Sequence, residues 1–147
     1  MAGSKKDTFE NAILLHIFQN ADIANIGDAA GLQNSASAGS LYVALFTVDP
    51  SDSAQGTETV YTNYARVGVA RSSAGWTVSG NNCSNAGLVT FATCGATGAT
   101  LTAFAICTGD TEGADDAIYW GELTADLIVS AGITPEFAIG DLDINED

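Results

Sequence analysis

The side chains that could do chemistry are few and scattered. His16 is the sole histidine, and Cys83, Cys94 and Cys107 are the three thiols. Nucleophilic catalysis needs an activated Ser or Cys beside a base and an orienting group, and no motif here marks such a set. His16 sits in an apolar run and reads as structural. The cysteines form neither a paired zinc pattern nor an even disulfide set. Buried free thiols in a reducing cytoplasm are expected, with one disulfide plus a spare thiol as the alternative. No phosphate loop or dinucleotide fingerprint occurs. No catalytic, cofactor-binding or metal-ligating residue is therefore assigned, and the chain is read as a non-enzyme without a cofactor. Paired carboxylates converging from distant positions are the one hydrolytic route left open.

Acids dominate what charge there is. Eighteen Asp and Glu face only Lys5, Lys6, Arg66 and Arg71, for a net charge of −14. Such a field repels phosphate backbones, so nucleic acid is not an expected partner. Asp110-Thr-Glu-Gly-Ala-Asp-Asp116 could offer oxygens to a hard cation, but it lacks the twelve-residue calcium-loop spacing and reads as a solvated loop. Asp141 and Asp143 read as a solvated stripe on the last strand. Arg66 lies in a strand-like stretch beside Tyr64. Buried there, it needs a carboxylate, with Glu58 and Glu122 as candidates; on the surface, its stem would lie along a sheet. Trp76 and Trp120 read as core or subunit-contact residues, a sugar-stacking platform being the alternative.

The elements that must position these residues are mostly strands. Leu41-Tyr-Val-Ala-Leu-Phe-Thr-Val48 is apolar or β-branched on both faces and is ended by Asp49-Pro50, the pattern of a covered, central strand. Strands are also expected at 58–61, 64–70, 75–78, 87–92, 100–108, 117–123, 126–130, 136–139 and 141–145, with a turn at 79–82. Short strands between frequent turns predict a mainly β fold, a β-sandwich of Ig-like or jelly-roll-like type. Before it, Asp7 or Thr8 can cap a helix running to about Asn20, with Phe9, Ala12, Ile13, Ile17 and Asn20 on one face. Residues 1–6 are small and polar and are expected to be mobile. Lys5-Lys6 before Ala12–Phe18 imitates a secretion signal, but His16 interrupts the run and no clear cleavage site follows. It reads as a helix of the mature protein. Residues 22–40 form a long connection, an extended arm or a linker, anchored by Ile23, Ile26 and Leu32. The expected division is a helix and arm over 1–40 and a β-sandwich over 41–147. No apolar stretch of about 18 residues occurs, so no membrane span is expected.

The order of landmarks carries a resemblance. Glu10–Phe18 is followed by Leu41–Pro50, Gly56-Thr-Glu58, Tyr64-Ala-Arg66, Val89-Thr-Phe91, Tyr119-Trp-Gly-Glu-Leu123 and Ala138–Ile144. This resembles a family of small bacteriophage virion proteins labelled tail-fibre, minor structural or capsid decoration (cement) proteins. The similarity runs over about residues 10–144. The sequence departs from the family in a longer 22–40 connection and in Cys94 where a Pro is expected. The resemblance implies a virion component without catalysis, made in the host cytoplasm. The chain has no internal repeat and no heptads, which favours a decoration protein on the outer capsid surface. The expected partners are the major capsid protein and two further copies in a homotrimer. A tail-fibre or receptor-binding protein is the alternative. The expected contacts are Phe9, Ile13, Ile17, Phe18, Ile23, Ile26 and Leu32.

Overall fold

The structure, a computed structural model, describes residues 4–146. Residues 1–3, the first half of the segment expected to be mobile, lie outside the described residues, as does residue 147. The fold is mainly β: one helix and ten strands in antiparallel sheets. The chain separates into two compact units. One takes the chain up to Ser40, Ala70–Leu88 and the segment from Ala138 onward; the other takes Leu41–Val69 and Val89–Phe137.

The larger sheet follows from the most apolar sequence. β1 (Ser40–Val48) lies inside the sheet order β2-β1-β7-β8, with β3 also paired to β1. Its centre is the expected central strand, with Val43, Ala44, Leu45 and Phe46 all buried. Each such large side chain contributes about 1.5–3 kcal/mol by leaving water. β7 (Ala99–Cys107) runs antiparallel to it, with Ala44 opposite Ala105 and Leu45 opposite Phe104. One face of the pair is built from Ala44, Phe46, Ala103, Ala105 and Cys107. On the other face Phe104 meets Phe137 edge-on at 5.7 Å. Phe137 belongs to a two-stranded ribbon of β6 (Val89–Thr90) and β9 (Glu136–Phe137). Phe91, Tyr64 and Tyr61 extend the aromatic run from there. Within this unit the ribbon gives the sheet a second, sandwich-like layer.

Several expected strands are shorter than their sequence implied, the two expected within residues 58–70 among them. β2 is Thr57–Glu58 and β3 is Val67–Ala70, because the chain turns over between them. Asn63 takes a left-handed φ of 79°, and the Tyr64 N–H bonds the Tyr61 carbonyl at 2.9 Å. β8 (Ala117–Val129) is one long strand where two were expected. Its register to β7 nevertheless breaks between Glu122 and Leu127, where the sequence pattern divided it. β8 ends the sheet order, so no strand pairs with its outer edge among the described residues.

In the other unit, α1 (Asp7–Gln19) packs on β4 (Trp76–Ser79) and β5 (Asn82–Asn85). β10 (Asp143–Asn145) completes a β10-β5-β4 sheet. β5 occupies what read as turn and loop. Neither Asp7 nor Thr8 caps the helix: Lys6 is the extended N-cap residue, and its carbonyl accepts the Phe9 and Glu10 N–H groups. The buried face is Glu10, Leu14 and Phe18, one turn apart, beside the stripe expected from the sequence. Phe18 meets Trp76 edge-on at 4.8 Å, and both are fully buried. The helix stops at Asn20, which adopts φ 57° and bonds the Leu15 carbonyl through its N–H. The 22–40 connection folds back on itself. Asn20 and Ser35 exchange two hydrogen bonds of 2.9 Å, and Ile23 and Leu32 form a two-way backbone bridge. Gly31, at φ 69°, closes this loop. A Cβ there would lie 2.0 Å from the Ile23 carbonyl oxygen.

Candidate functional site

The turn between β2 and β3 presents Tyr64 and Arg66 to one buried centre. Arg66 has a fully buried side chain, and each of its five N–H groups has an acceptor. Nε and Nη2 grip the two oxygens of Glu58 at 2.9 Å each, a bidentate fork. Nη1 bonds Asp116 Oδ1 and the Gly109 carbonyl at 2.8 Å, and Nη2 reaches the Ala114 carbonyl at 3.3 Å. Glu58 is the expected partner. Asp116 takes the place considered for Glu122, which lies opposite Ala103 on the exposed strand β8.

The carboxylates are as fully engaged as the guanidinium. Glu58 also accepts the Tyr64 hydroxyl at 2.7 Å and the Gly113 N–H at 2.6 Å. Asp116 Oδ2 accepts the Gly109 N–H at 2.8 Å. The Tyr64 oxygen in turn accepts the Leu45 N–H of β1 at 3.0 Å, which ties the network to the central strand. Burial pushes the Glu58 carboxyl up, but the bonds from Arg66, Gly113 and Tyr64 outweigh it, and its pKa lies below 4.5. Burial also works against the Arg66 charge; the bonds to Glu58 and Asp116 overcompensate and hold its pKa above the ordinary value. Burial, then the bond to Glu58, raises Tyr64, so it remains a phenol donor. Every donor of the guanidinium is taken within the centre. Its chemistry is cohesion: it ties the acidic 110–116 loop to the sheet.

Beside it lies an open groove of about 400 Å³. Pro50–Gln55 form one wall, and Asp115, Ala117, Ile118 and Trp120 the other. The first wall is a tight turn in which Ser51 and Ala54 bond each other's backbone in both directions. Gln55 joins the walls, donating to the Ala114 carbonyl at 2.8 Å and accepting the Ala117 N–H. Trp120 is 42% exposed, whereas Trp76 is fully buried.

The structure disperses the other residues singled out by sequence. His16 Nδ1 lies 2.6 Å from the Ala21 carbonyl at the end of α1, a structural position. Cys83, Cys94 and Cys107 are buried free thiols, as expected. Burial pushes Cys83 and Cys107 up to about 12, far from thiolate chemistry. Asp143 bonds Asn82, and Asp141 accepts the Ala138 N–H. Among the described residues no three His, Cys, Asp or Glu side chains converge as a metal-binding set. Among the described residues no helix is long and apolar enough to cross a membrane. Of the apolar contacts expected from sequence, Phe9, Ile26 and Leu32 are exposed and Ile13 and Ile17 half-buried. Phe18 and Ile23 are buried in the chain's own core. The pairing of Arg66 with Asp116, fifty residues on, and the exposure of Trp120 were not anticipated from the sequence. The alternation of Ile118, Trp120 and Glu122 along β8 is the signal that could have found the latter.

These features define a structural β protein whose buried charges hold the fold together. A family model described as podophage GP4 fiber I protein gp80 matches residues 4–145, nearly the whole chain, and the chain belongs to that family. It is a structural protein of the bacteriophage virion. No curated protein matches it.

Proposed function

We propose that the protein is a fibre-type subunit of the virion that acts by adhesion, holding neighbouring virion components together through several shallow contacts. The observation that carries this reading is the fibre-family match over residues 4–145. The exposed apolar side chains support it. Leu127 and Ile128 stand out on β8, whose outer edge no strand pairs among the described residues, and Phe9, Ile26 and Leu32 on the other unit. In a chain of net charge −14 these are the surfaces that a second copy or a neighbouring virion protein can cover. A homotrimer supplies the multivalency that turns weak contacts into tight attachment.

Capsid decoration is the second reading, with the major capsid protein as partner. It is favoured by the lack of repeats or heptads from which a long stalk could be built. Purified protein sedimented with tailless heads and, separately, with isolated tails separates the two. Co-sedimentation with tails is expected; capture by heads alone would replace the fibre reading with decoration.

A further inference from the structure

We propose that the groove beside Trp120 is a binding site for an uncharged sugar, one or two pyranose units of a neutral glycan. A tryptophan that stays 42% exposed on a strand departs from the high average burial of this residue type. Trp120 is the accessible one of the two in this chain. One face of a pyranose carries polarised C–H bonds, and these meet the negative face of an indole favourably. The hydroxyls around the ring then need acceptors and donors at its edge. Asp52 and Asp115 supply carboxylates and Ser51 and Ser53 supply hydroxyls, all lining the same groove.

The walls are fixed before any ligand arrives. The Ser51–Ala54 turn holds one, the Gln55 bonds join it to the other, and Asp116, next to Asp115, is anchored on Arg66. Fixed walls reduce the ordering cost of binding. The groove falls within the usual range for small-ligand sites, about 300–1,000 Å³. Charge chooses among sugars. No Lys or Arg lines the groove, and the whole chain carries −14. Sialylated, sulfated or phosphorylated glycans are repelled, and neutral ones are not. A greasy peptide is a poor fit to walls of Ser, Asp and Gln. The groove offers the same chemistry whether the protein sits on head or tail.

The test uses the intact protein on an array of neutral and anionic glycans, followed by titration of tryptophan fluorescence with the best neutral oligosaccharide. Trp76 is buried, so a change in emission reports Trp120. Binding to neutral glycans is expected, with about a tenfold or greater loss of affinity in Trp120→Ala. Trp120→Phe should recover part of that loss, and Asp52→Asn with Asp115→Asn should weaken binding while leaving the stacking signal. Far-UV circular dichroism and the Trp76 emission establish that the variants fold. No bound glycan, a preference for anionic glycans, or unchanged affinity in Trp120→Ala would each overturn the proposal. So would light scattering in which Trp120→Ala dissociates an oligomer, because the groove would then be filled by a second copy.

Discussion

Two of the four cations in this chain are held in opposite ways. Arg66 is held by charges: the fork on Glu58 and the bond to Asp116 carry two carboxylates into a buried site. Arg71 is held by backbone. It donates to the carbonyls of Ile17 at 2.6 Å, His16 at 2.7 Å and Ala38 at 3.1 Å. The first two belong to the last turn of α1, where helix carbonyls lack partners and the dipole favours a cation. Arg71 is thus a helix C-terminal cap that also pins the end of the 22–40 loop. The lesson is that an arginine's position in the sequence does not reveal its job. The same side chain neutralises buried acids in one unit and completes a helix in the other.

Substitution separates the two arginines, and the largest effect is expected at Arg66. Removing it strands Glu58 and Asp116, and loss of one partner of a buried pair costs about 3–5 kcal/mol. Arg66→Ala should lose that much in urea unfolding. Arg66→Lys should recover little, because an ammonium cannot reproduce the fork. Arg71→Ala should cost about 1.5–3 kcal/mol, the range for hydrogen bonds to a charged group, with reduced helical signal. Arg71→Lys should recover more of its loss than Arg66→Lys, since separate carbonyls accept single donors. Equal rescue at both sites would erase the distinction.

Acid sharpens the same contrast. The Glu58 pKa is lower in the folded chain than its ordinary 4.5, so the unfolded chain takes up that proton more readily. The stabilisation is complete above pH 4.5 and is lost as the pH falls through the lower folded value. Glu58→Gln should be less stable at neutral pH and should lose less on acidification, measured as urea midpoints from pH 6 to 3. The Arg71 bonds involve no carboxylate, so Arg71→Ala should leave the slope with pH unchanged. The smallest effect is at the thiols. With Cys83 and Cys107 raised to about 12 by burial, a thiol reagent at pH 8 should leave both unmodified in the folded chain and label both once it is unfolded.

Much of the fold was legible because it is written in local apolar pattern. β1 and β7 are continuous apolar runs, and the structure covers both. β5 was invisible because Asn82-Cys-Ser-Asn85 has little strand propensity; its neighbours β4 and β10 hold it in place. The helix was legible as an element but not in orientation. Its apolar residues cover most of the circumference, and only Trp76 beneath it selects Leu14 and Phe18 as the inner face. The Arg66 centre was half legible. Glu58 is eight residues away, whereas Asp116 is brought in by a loop whose path no local signal encodes. Asn85 was missed for the same reason. Its side chain bonds Gly87, Ala138 and Leu142, and it staples the C-terminal segment to β5.

Gold labelling of native particles with an antibody against the purified protein distinguishes an adhesive subunit of the virion fibre from a protein of the head. Gold is expected on the tail and its fibres, in copies that repeat with the symmetry of the fibres. Gold spread over the head surface and absent from the tail would contradict it.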